Sequence, residues 1–404
     1  MCGIIGIKTN NNLSQKLFNI LLTLQHRGQD SHGYADKFHI ERYLGMITDP
    51  PKNMKGPVAI GHTRYRTSGK IDLYNCQPIN EENITLVHNG KVHIDHKYSD
   101  SHGLLQFMLE NKKDNIIDTI KYVINNCEGS FFVIMLYEEK IYAFKDKNGI
   151  RPGLYGINEE GDIIIASENC GFKDNNINMI KDIGPGCILE VDKDVKYYES
   201  SFSIQPCIFE YIYLAHPNST LYGLNVNEFR LKLASSSVPL LENYSIDAVC
   251  GVPNSSRIYA LEVARLLNKP YFEPIVKKKR SFIMPTQEDR ERYLKEKFTF
   301  LDHHFMHQNV LVVDDSIVRG STAKVIVKKF KENNCNITFL SCSPKVVNKN
   351  VFGINITTKK ELISYNRTHQ EIEKFLGCKI VYQNIENLFK CSGFADLEIS
   401  KFLD

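Results

Sequence analysis

The run Val310-Leu311-Val312-Val313-Asp314-Asp315 constrains the fold of this chain more than any other segment. Four apolar residues in succession read as a strand buried on both faces, the kind found in parallel sheets. Two carboxylates close that strand, and Ser316-Ile317-Val318-Arg319-Gly320-Ser321-Thr322 then opens a helix. Carboxylates at the C-terminal end of a parallel strand lie where open α/β sheets bind their ligands. The turn offers main-chain N–H groups, hydroxyls and a helix N-terminus, which together make a phosphate cradle. Asp314 and Asp315 cannot both be buried without partners, so ribose hydroxyls or Mg2+ are expected on them. The plainer reading, an Asp N-cap on an ordinary strand-to-helix turn, accounts for less of the pattern. No Gly-x-x-x-x-Gly-Lys occurs here, so this is not a Walker loop.

The surrounding pattern agrees with a parallel sheet. Residues 246–252, 309–313 and 337–341 read as strands, alternating with helices at 257–268 and 323–332. In the first of these helices Ile258, Leu261, Ala264 and Leu267 fall near one face. The rhythm differs before residue 205. Short apolar strands are expected there at 4–7, 58–61, 84–87, 131–136, 141–144, 163–166 and 187–191, with helices only at 13–24 and 103–109. Many strands and few helices predict sheets covered by helices.

At 404 residues, with 42% hydrophobic and 24% charged residues, the chain has room for two or three ordinary globular domains. Fifty Lys+Arg against 47 Asp+Glu give a net charge of +3, which supplies no electrostatic footprint for nucleic acid. The apolar run 131–137 is far short of the ~20 residues that a membrane helix needs. Eleven cysteines without a repeated spacing, and no secretory leader, predict a reducing, cytoplasmic setting. Cys76, Cys127, Cys170, Cys250, Cys335, Cys342 and Cys378 read as small core residues, and His303, His304 and His307 as a solvated helix face.

The N-terminus carries the second chemical signal. A small residue after Met1 permits removal of the initiator, which would leave Cys2 with a thiol and a free α-amino group. An α-amino pKa near ~8 lets that group act as base for the thiol beside it. Cys2-Gly3-Ile4-Ile5-Gly6-Ile7 sets the thiol at the head of a strand, where Gly3 allows close backbone approach. In the same half, Leu24-Gln25-His26-Arg27-Gly28-Gln29-Asp30-Ser31 reads as a polar loop after a helix. Gly61-His62-Thr63-Arg64-Tyr65 places an arginine fork just past a strand, suited to a carboxylate. Val87-His88-Asn89-Gly90 closes another strand with an amide and a glycine N–H, the donors of an oxyanion hole. A surface arginine and an Asn-Gly hairpin turn are the plain alternatives, and jointly they explain less.

These N-terminal segments resemble the class II glutamine amidotransferase domain, an N-terminal-nucleophile hydrolase with an αββα sandwich. The resemblance implies that Cys2 attacks the glutamine side-chain amide, that Asn89 and Gly90 stabilise the oxyanion, and that Arg64 binds the α-carboxylate. Asp100, in Ser99-Asp100-Ser101, would take the α-amino group, although His102 and Gly103 depart from the pattern after it. Arg66 and His32 depart too, without touching the nucleophile.

Residues 309–322 resemble the 5-phosphoribosyl-1-pyrophosphate (PRPP) motif of type I phosphoribosyltransferases. Asp314 and Asp315 would then hold the ribose hydroxyls, while Ser316 and the run Arg319, Gly320, Ser321 and Thr322 bind PRPP with its 5′-phosphate on the loop. Val252-Pro253-Asn254-Ser255-Ser256 resembles the pyrophosphate-side loop, with Ser255, Asp314 and Asp315 implied at a site for one Mg2+ per subunit. Lys277 and Arg280, in Val276-Lys277-Lys278-Lys279-Arg280-Ser281-Phe282-Ile283-Met284-Pro285, resemble the basic loop that closes over PRPP, here shortened by about three residues.

The order of the two halves is similar to that of the amidophosphoribosyltransferases, in a reading that covers nearly the whole chain. Asn148-Gly149-Ile150-Arg151-Pro152, Ala166-Ser167-Glu168, Gly184-Pro185-Gly186 and Glu210-Tyr211-Ile212-Tyr213 stand in the expected order between them. The resemblance implies an α/β and α+β chain: an αββα amidotransferase domain over 2–206, then a parallel-sheet phosphoribosyltransferase domain over 207–404. It implies glutamine hydrolysis, internal passage of ammonia to PRPP, and formation of 5-phosphoribosylamine with loss of pyrophosphate. Purine nucleotides as inhibitors and a homo-dimer or tetramer are family expectations, with no nucleic-acid or membrane partner. Some members hold an iron–sulfur cluster on four cysteines. Cys207 and Cys391 match two positions but Asn350 and Phe394 occupy the others, so no cluster is expected. A PRPP-binding regulator without turnover, and an enzyme that uses free ammonia only, stand as alternatives.

Overall fold

The computed structural model describes residues 2–66, 70–277, 298–301, 308–350, 352, 356 and 358–403. Two antiparallel sheets build the first half. In the seven-stranded one, Gly3–Lys8 lies between Val58–Arg64 and Ile163–Ala166. In the six-stranded one, Gly129–Tyr137 lies between Ile84–Val92 and Lys140–Lys145.

The period-2 alternation of side chains assigns each strand's two faces. From Gly129–Tyr137, Phe132, Ile134 and Leu136 meet Ile4, Val58 and Ile60 of the other sheet. Phe131, Val133 and Met135 face Leu104, Leu105, Met108, Ile120 and Val123 of the helices Asp100–Glu110 and Ile116–Asn126. On the far side, Ile5 and Ile7 cluster with Leu17 and Leu21 of the helix Leu13–Thr23. Helix, sheet, sheet and helix thus stack in four layers, and the apolar faces remove themselves from water at each junction.

The second half holds a four-stranded sheet, all parallel, in the order Ala248–Gly251, Asn309–Asp314, Asn336–Ser341, Lys379–Tyr382. Val310 and Val312 pack with Ile326, Val327 and Phe330 of the helix Ser321–Glu332, while Leu311 and Val313 face the opposite side with Tyr259 and Val263. Both faces of the strand are covered, as its unbroken apolar run requires. The largest apolar cluster takes members from Ile5 to Phe402, so the two halves share core. No helix among the described residues is long and apolar enough to cross a membrane.

Several expectations are corrected. The helix Arg257–Leu267 buries Tyr259, Ala260, Val263 and Ala264, whereas Leu261 is 50% exposed. Small alanines beside a tyrosine let this helix lie close to the sheet, so the large aliphatic residues did not mark the inner face. Arg64 is the last residue inside the strand Val58–Arg64, not beyond it. Asn89 and Gly90 lie within Ile84–Val92, not at its end, because Gly129–Tyr137 pairs along that whole strand. The polar loop after the first helix contains the 3-10 turn Gln25–Arg27 and then the strand Ser31–Ala35. The basic loop with Arg280, and His303, His304 and His307, lie outside the described residues.

Candidate active sites

Cys2 is buried at the head of the seven-stranded sheet, where the two sheets of the sandwich face each other. Its main-chain N donates to Asn89 Oδ1 at 2.9 Å, and its carbonyl accepts Arg27 Nε at 2.9 Å. Gly3 follows against Leu24, and an added Cβ there would lie 2.9 Å from Leu24 Cβ. Arg64, Tyr65, Gln77, His88, Gly90, Ser99, Asp100 and Ser101 complete an open cleft with Cys2. Four of the five N-terminal site residues named from the sequence, Cys2, Arg64, Gly90 and Asp100, therefore line one cleft, and Asn89 stands behind it on the Cys2 main chain.

The Asn89 amide decides how this cleft can act. An amide has one carbonyl oxygen and two N–H donors. Because Oδ1 accepts from Cys2, Nδ2 is left as the donor, and it is buried without a hydrogen-bond partner. Gly90 supplies a second donor. Phe131, opposite Gly90, donates its N–H to Asp146 Oδ2 and accepts from the Asp146 N–H, so Gly90 and Phe131 form a non-hydrogen-bonded pair. The Gly90 N–H therefore points away from that strand, to the side where His88 N–H meets Gln77 Oε1 at 2.6 Å. A Cβ at Gly90 would lie 2.0 Å from the Ser130 carbonyl oxygen, so only glycine fits.

Arg64 and Asp100 bring charge to the cleft from opposite elements. Arg64 is buried, and its Nη1 donates to the Lys70 carbonyl at 2.9 Å. Asp100 opens the helix Asp100–Glu110, where a carboxylate suits the helix dipole. Its Oδ2 accepts from Val92 N at 3.3 Å, with Lys91 Nζ at 3.7 Å. Gln77, Ser101 and His88 form a supporting triangle: Gln77 Nε2 to Ser101 Oγ is 2.9 Å and His88 Nδ1 to Ser101 Oγ is 3.0 Å. Burial pushes the His88 imidazole down to about 4, so it is neutral at neutral pH. Sequence reasoning gave no role to these three, since a lone Gln, Ser or His carries no diagnostic spacing.

The second site lies at the end of the parallel strand Asn309–Asp314. Asp314 and Asp315 are buried, and serine hydroxyls meet both. Ser256 Oγ donates to Asp314 Oδ1 at 2.7 Å, Ser255 Oγ to Asp315 Oδ2 at 2.5 Å and Ser316 Oγ to Asp315 Oδ1 at 2.8 Å. The loop of residues 252–256 is thereby joined to the acids. Gly320, at φ 74°, caps the helix Ser321–Glu332, with Ser321 exposed and Thr322 half-buried beside it. Arg319 stands on the loop that leads into this helix. Its guanidinium is half-exposed and pairs with Glu361, Nε to Oε2 at 3.0 Å. Lys277 ends the strand Ile275–Lys277, and Arg280 lies outside the described residues.

Carboxylate and hydroxyl oxygens from Asp314, Asp315 and Ser255 form an all-oxygen donor set, the kind that suits Mg2+. Three of the positions weighed for a cluster, Cys207, Cys391 and Asn350, each have protein partners. Cys207 Sγ lies 3.8 Å from Lys401 Nζ, Cys391 Sγ lies 3.8 Å from Ser236 Oγ, and Asn350 Nδ2 reaches Glu398 at 3.3 Å.

The family described as glutamine amidotransferases class-II matches residues 102–208 of the chain. An amidophosphoribosyltransferase of Lachancea kluyveri is 34% identical, covering 97% of this chain and 89% of the relative. The amidophosphoribosyltransferase of Pseudomonas aeruginosa is 33% identical over 100% of this chain and 91% of its own length. Among solved structures, glutamine PRPP amidotransferase from B. subtilis, complexed with ADP and GMP, superposes with a TM-score of 0.86 at 28% identity. That match covers 98% of this chain and 94% of the other.

Proposed function

Because the chain belongs to the amidophosphoribosyltransferase family, we propose that its two clefts carry the two half-reactions of one enzyme, glutamine hydrolysis at Cys2 and amination of PRPP at Asp314 and Asp315. The observation that carries this reading is the buried Asn89 Nδ2, a donor without a partner beside Cys2. It supports an oxyanion hole, since a desolvated donor is stabilised when charge develops opposite it.

In this reading Met1 is removed, and the Cys2 thiol gives its proton to the α-amino group as sulfur attacks the glutamine side-chain carbonyl. Asn89 Nδ2 and the Gly90 N–H take the oxyanion. Collapse breaks the C–N bond, the α-ammonium returns the proton to the departing nitrogen, and ammonia leaves a γ-glutamyl thioester. Water then releases glutamate. Arg64 holds the substrate carboxylate and Asp100 its α-ammonium, which sets the amide against the thiol.

Ammonia passes inside the protein to the second site, attacks C1 of PRPP and displaces pyrophosphate, giving 5-phosphoribosylamine. Asp314 and Asp315 hold the ribose hydroxyls. Ser316, Arg319, Gly320, Ser321 and Thr322 take the phosphate at the head of the helix Ser321–Glu332, with Lys277 and Arg280 on the pyrophosphate. For Arg319 this requires exchange of Glu361 for phosphate. Mg2+, one per subunit, would sit on Asp314, Asp315 and Ser255 and supply charge stabilisation to the leaving pyrophosphate. The eleven free thiols fit a reducing cytoplasm. ADP and GMP in the B. subtilis structure make purine nucleotides the effectors to try, on a homo-oligomer.

Arg64→Lys tests the glutamine side. A lysine keeps the charge but loses the two-pronged contact, so KM for glutamine is expected to rise about 10-fold or more while the ammonia-dependent rate holds. Parallel loss of both rates would remove Arg64 from glutamine binding.

A further inference from the structure

Four segments that the reaction leaves without a role converge on Cys2. Arg27, Arg151, Glu168 and Glu210 are all buried, each from a different stretch of chain. Arg27 is the hub. Its Nε donates to the Cys2 carbonyl, its Nη1 to Glu168, and its Nη2 to both oxygens of Glu210 at 3.1 and 3.0 Å. Glu210 also takes Arg151 Nη1 at 2.8 Å, while Glu168 takes His216 N at 2.7 Å and Ser219 Oγ at 2.6 Å. Burial alone would raise the Glu168 carboxyl, but His26 and Arg27 offset it and hold the group below the usual carboxylate range. Two arginines and two glutamates balance in charge, which is how such a cluster survives without water. Every acceptor oxygen of Glu168 is occupied, so His26, Glu168 and Cys170, although close together, do not make a metal site.

Glu210 lies beyond the last strand of the sandwich, on the π-helical turn Glu210–Leu214. That turn is held from the C-terminal half: Arg230 donates to the Tyr211 and Ala215 carbonyls at 2.8 Å each, and the Tyr259 hydroxyl to the Ile212 carbonyl at 3.0 Å. Tyr259 belongs to the helix Arg257–Leu267, which begins just after the Ser255 and Ser256 that meet the paired acids. Single-turn π segments are frequent at functional sites.

We propose that Glu210 is a positioning residue for glutamine hydrolysis: through the Arg27 fork it fixes the Cys2 carbonyl from the C-terminal half of the chain. With Asn89 on the nitrogen and Arg27 on the oxygen, the Cys2 main chain is pinned at both ends, and rotation about χ1 alone directs the thiol. Glu210 holds one Nη between its two carboxylate oxygens while Glu168 takes the other Nη, so the guanidinium is held on both prongs. This assignment rests on the reading of Cys2 as nucleophile.

The test compares glutamine- and ammonia-dependent pyrophosphate release in Glu210→Gln and Arg27→Lys. The first keeps the shape of the side chain. The second keeps the cluster's charge balance, so it avoids stranding a buried carboxylate if the first variant does not fold. Expected for both is a fall in glutamine-dependent kcat of about 10²-fold, the scale of a small misplacement of a reacting group. KM for glutamine and the ammonia-dependent rate should stay within about two-fold, because neither variant touches Arg64, Asp100 or the acid pair. Equal loss of both rates would reduce the cluster to a structural role and overturn the proposal, as would a rise in KM with kcat unchanged. Wild-type protein without glutamine-dependent release would instead defeat the functional reading, and this assignment with it.

Discussion

Cys2→Ala is expected to abolish pyrophosphate release driven by glutamine and to leave release driven by ammonia intact. The expected loss with glutamine is on the order of 10⁴-fold or more, since the nucleophile is removed rather than displaced. Packing gives little reason for collateral damage. Cys2 is held by its main chain, N to Asn89 and O from Arg27, and an alanine keeps both bonds. Among the described residues the thiol makes a single long hydrogen-bond contact, 3.9 Å to the Tyr65 carbonyl, so its loss costs little stability. The PRPP site stands on a separate sheet, at the end of Asn309–Asp314. Supplied ammonia should therefore react there as in the parent enzyme. A variant that loses both activities would mean that Cys2 does more than supply ammonia; one that retains glutamine-dependent release would remove it as nucleophile.

Asp314→Asn and Asp315→Asn are expected to do the reverse, removing both activities together. Each substitution keeps the side chain's shape while deleting a charge at the strand's end. A loss of about 10²–10³-fold in kcat is expected from each, the scale seen when one preorganised electrostatic partner is removed. PRPP binding measured by calorimetry with Mg2+ should weaken in both, which separates loss of the ligand site from loss of chemistry. Ser255 and Ser256 can still donate to the amide oxygen, so the fold should persist. Glutamine- and ammonia-dependent rates falling unequally would contradict a shared acceptor site.

The parts of both sites that were legible in the sequence are those whose chemistry is local. An apolar run ending in Asp314 and Asp315 announces a buried parallel strand, and the structure has that strand with both acids at its C-terminal end. Cys2, Arg64, Gly90 and Asp100 meet in one cleft, with Asn89 on the Cys2 main chain behind it. Their element boundaries were less legible. Arg64 and Gly90 lie inside strands because neighbouring strands pair through them, and pairing partners are chosen by tertiary structure. The inner face of the helix Arg257–Leu267 was hidden because alanine marks close approach rather than hydrophobic bulk. The partners of Arg319 and Arg27 were hidden for a related reason. A guanidinium declares that it needs carboxylates, but nothing near it in sequence says which, and Glu361, Glu168 and Glu210 arrive only with the fold.

The central claim is that one chain moves nitrogen from glutamine to PRPP without releasing it. The direct test supplies glutamine labelled with ¹⁵N in the side-chain amide, PRPP and Mg2+ in a buffer containing unlabelled ammonia, and measures the label in 5-phosphoribosylamine after trapping. Internal transfer predicts product enriched in ¹⁵N well above the ammonia pool of the solution. Product with the isotopic composition of that pool would contradict internal transfer and leave two uncoupled activities on one chain.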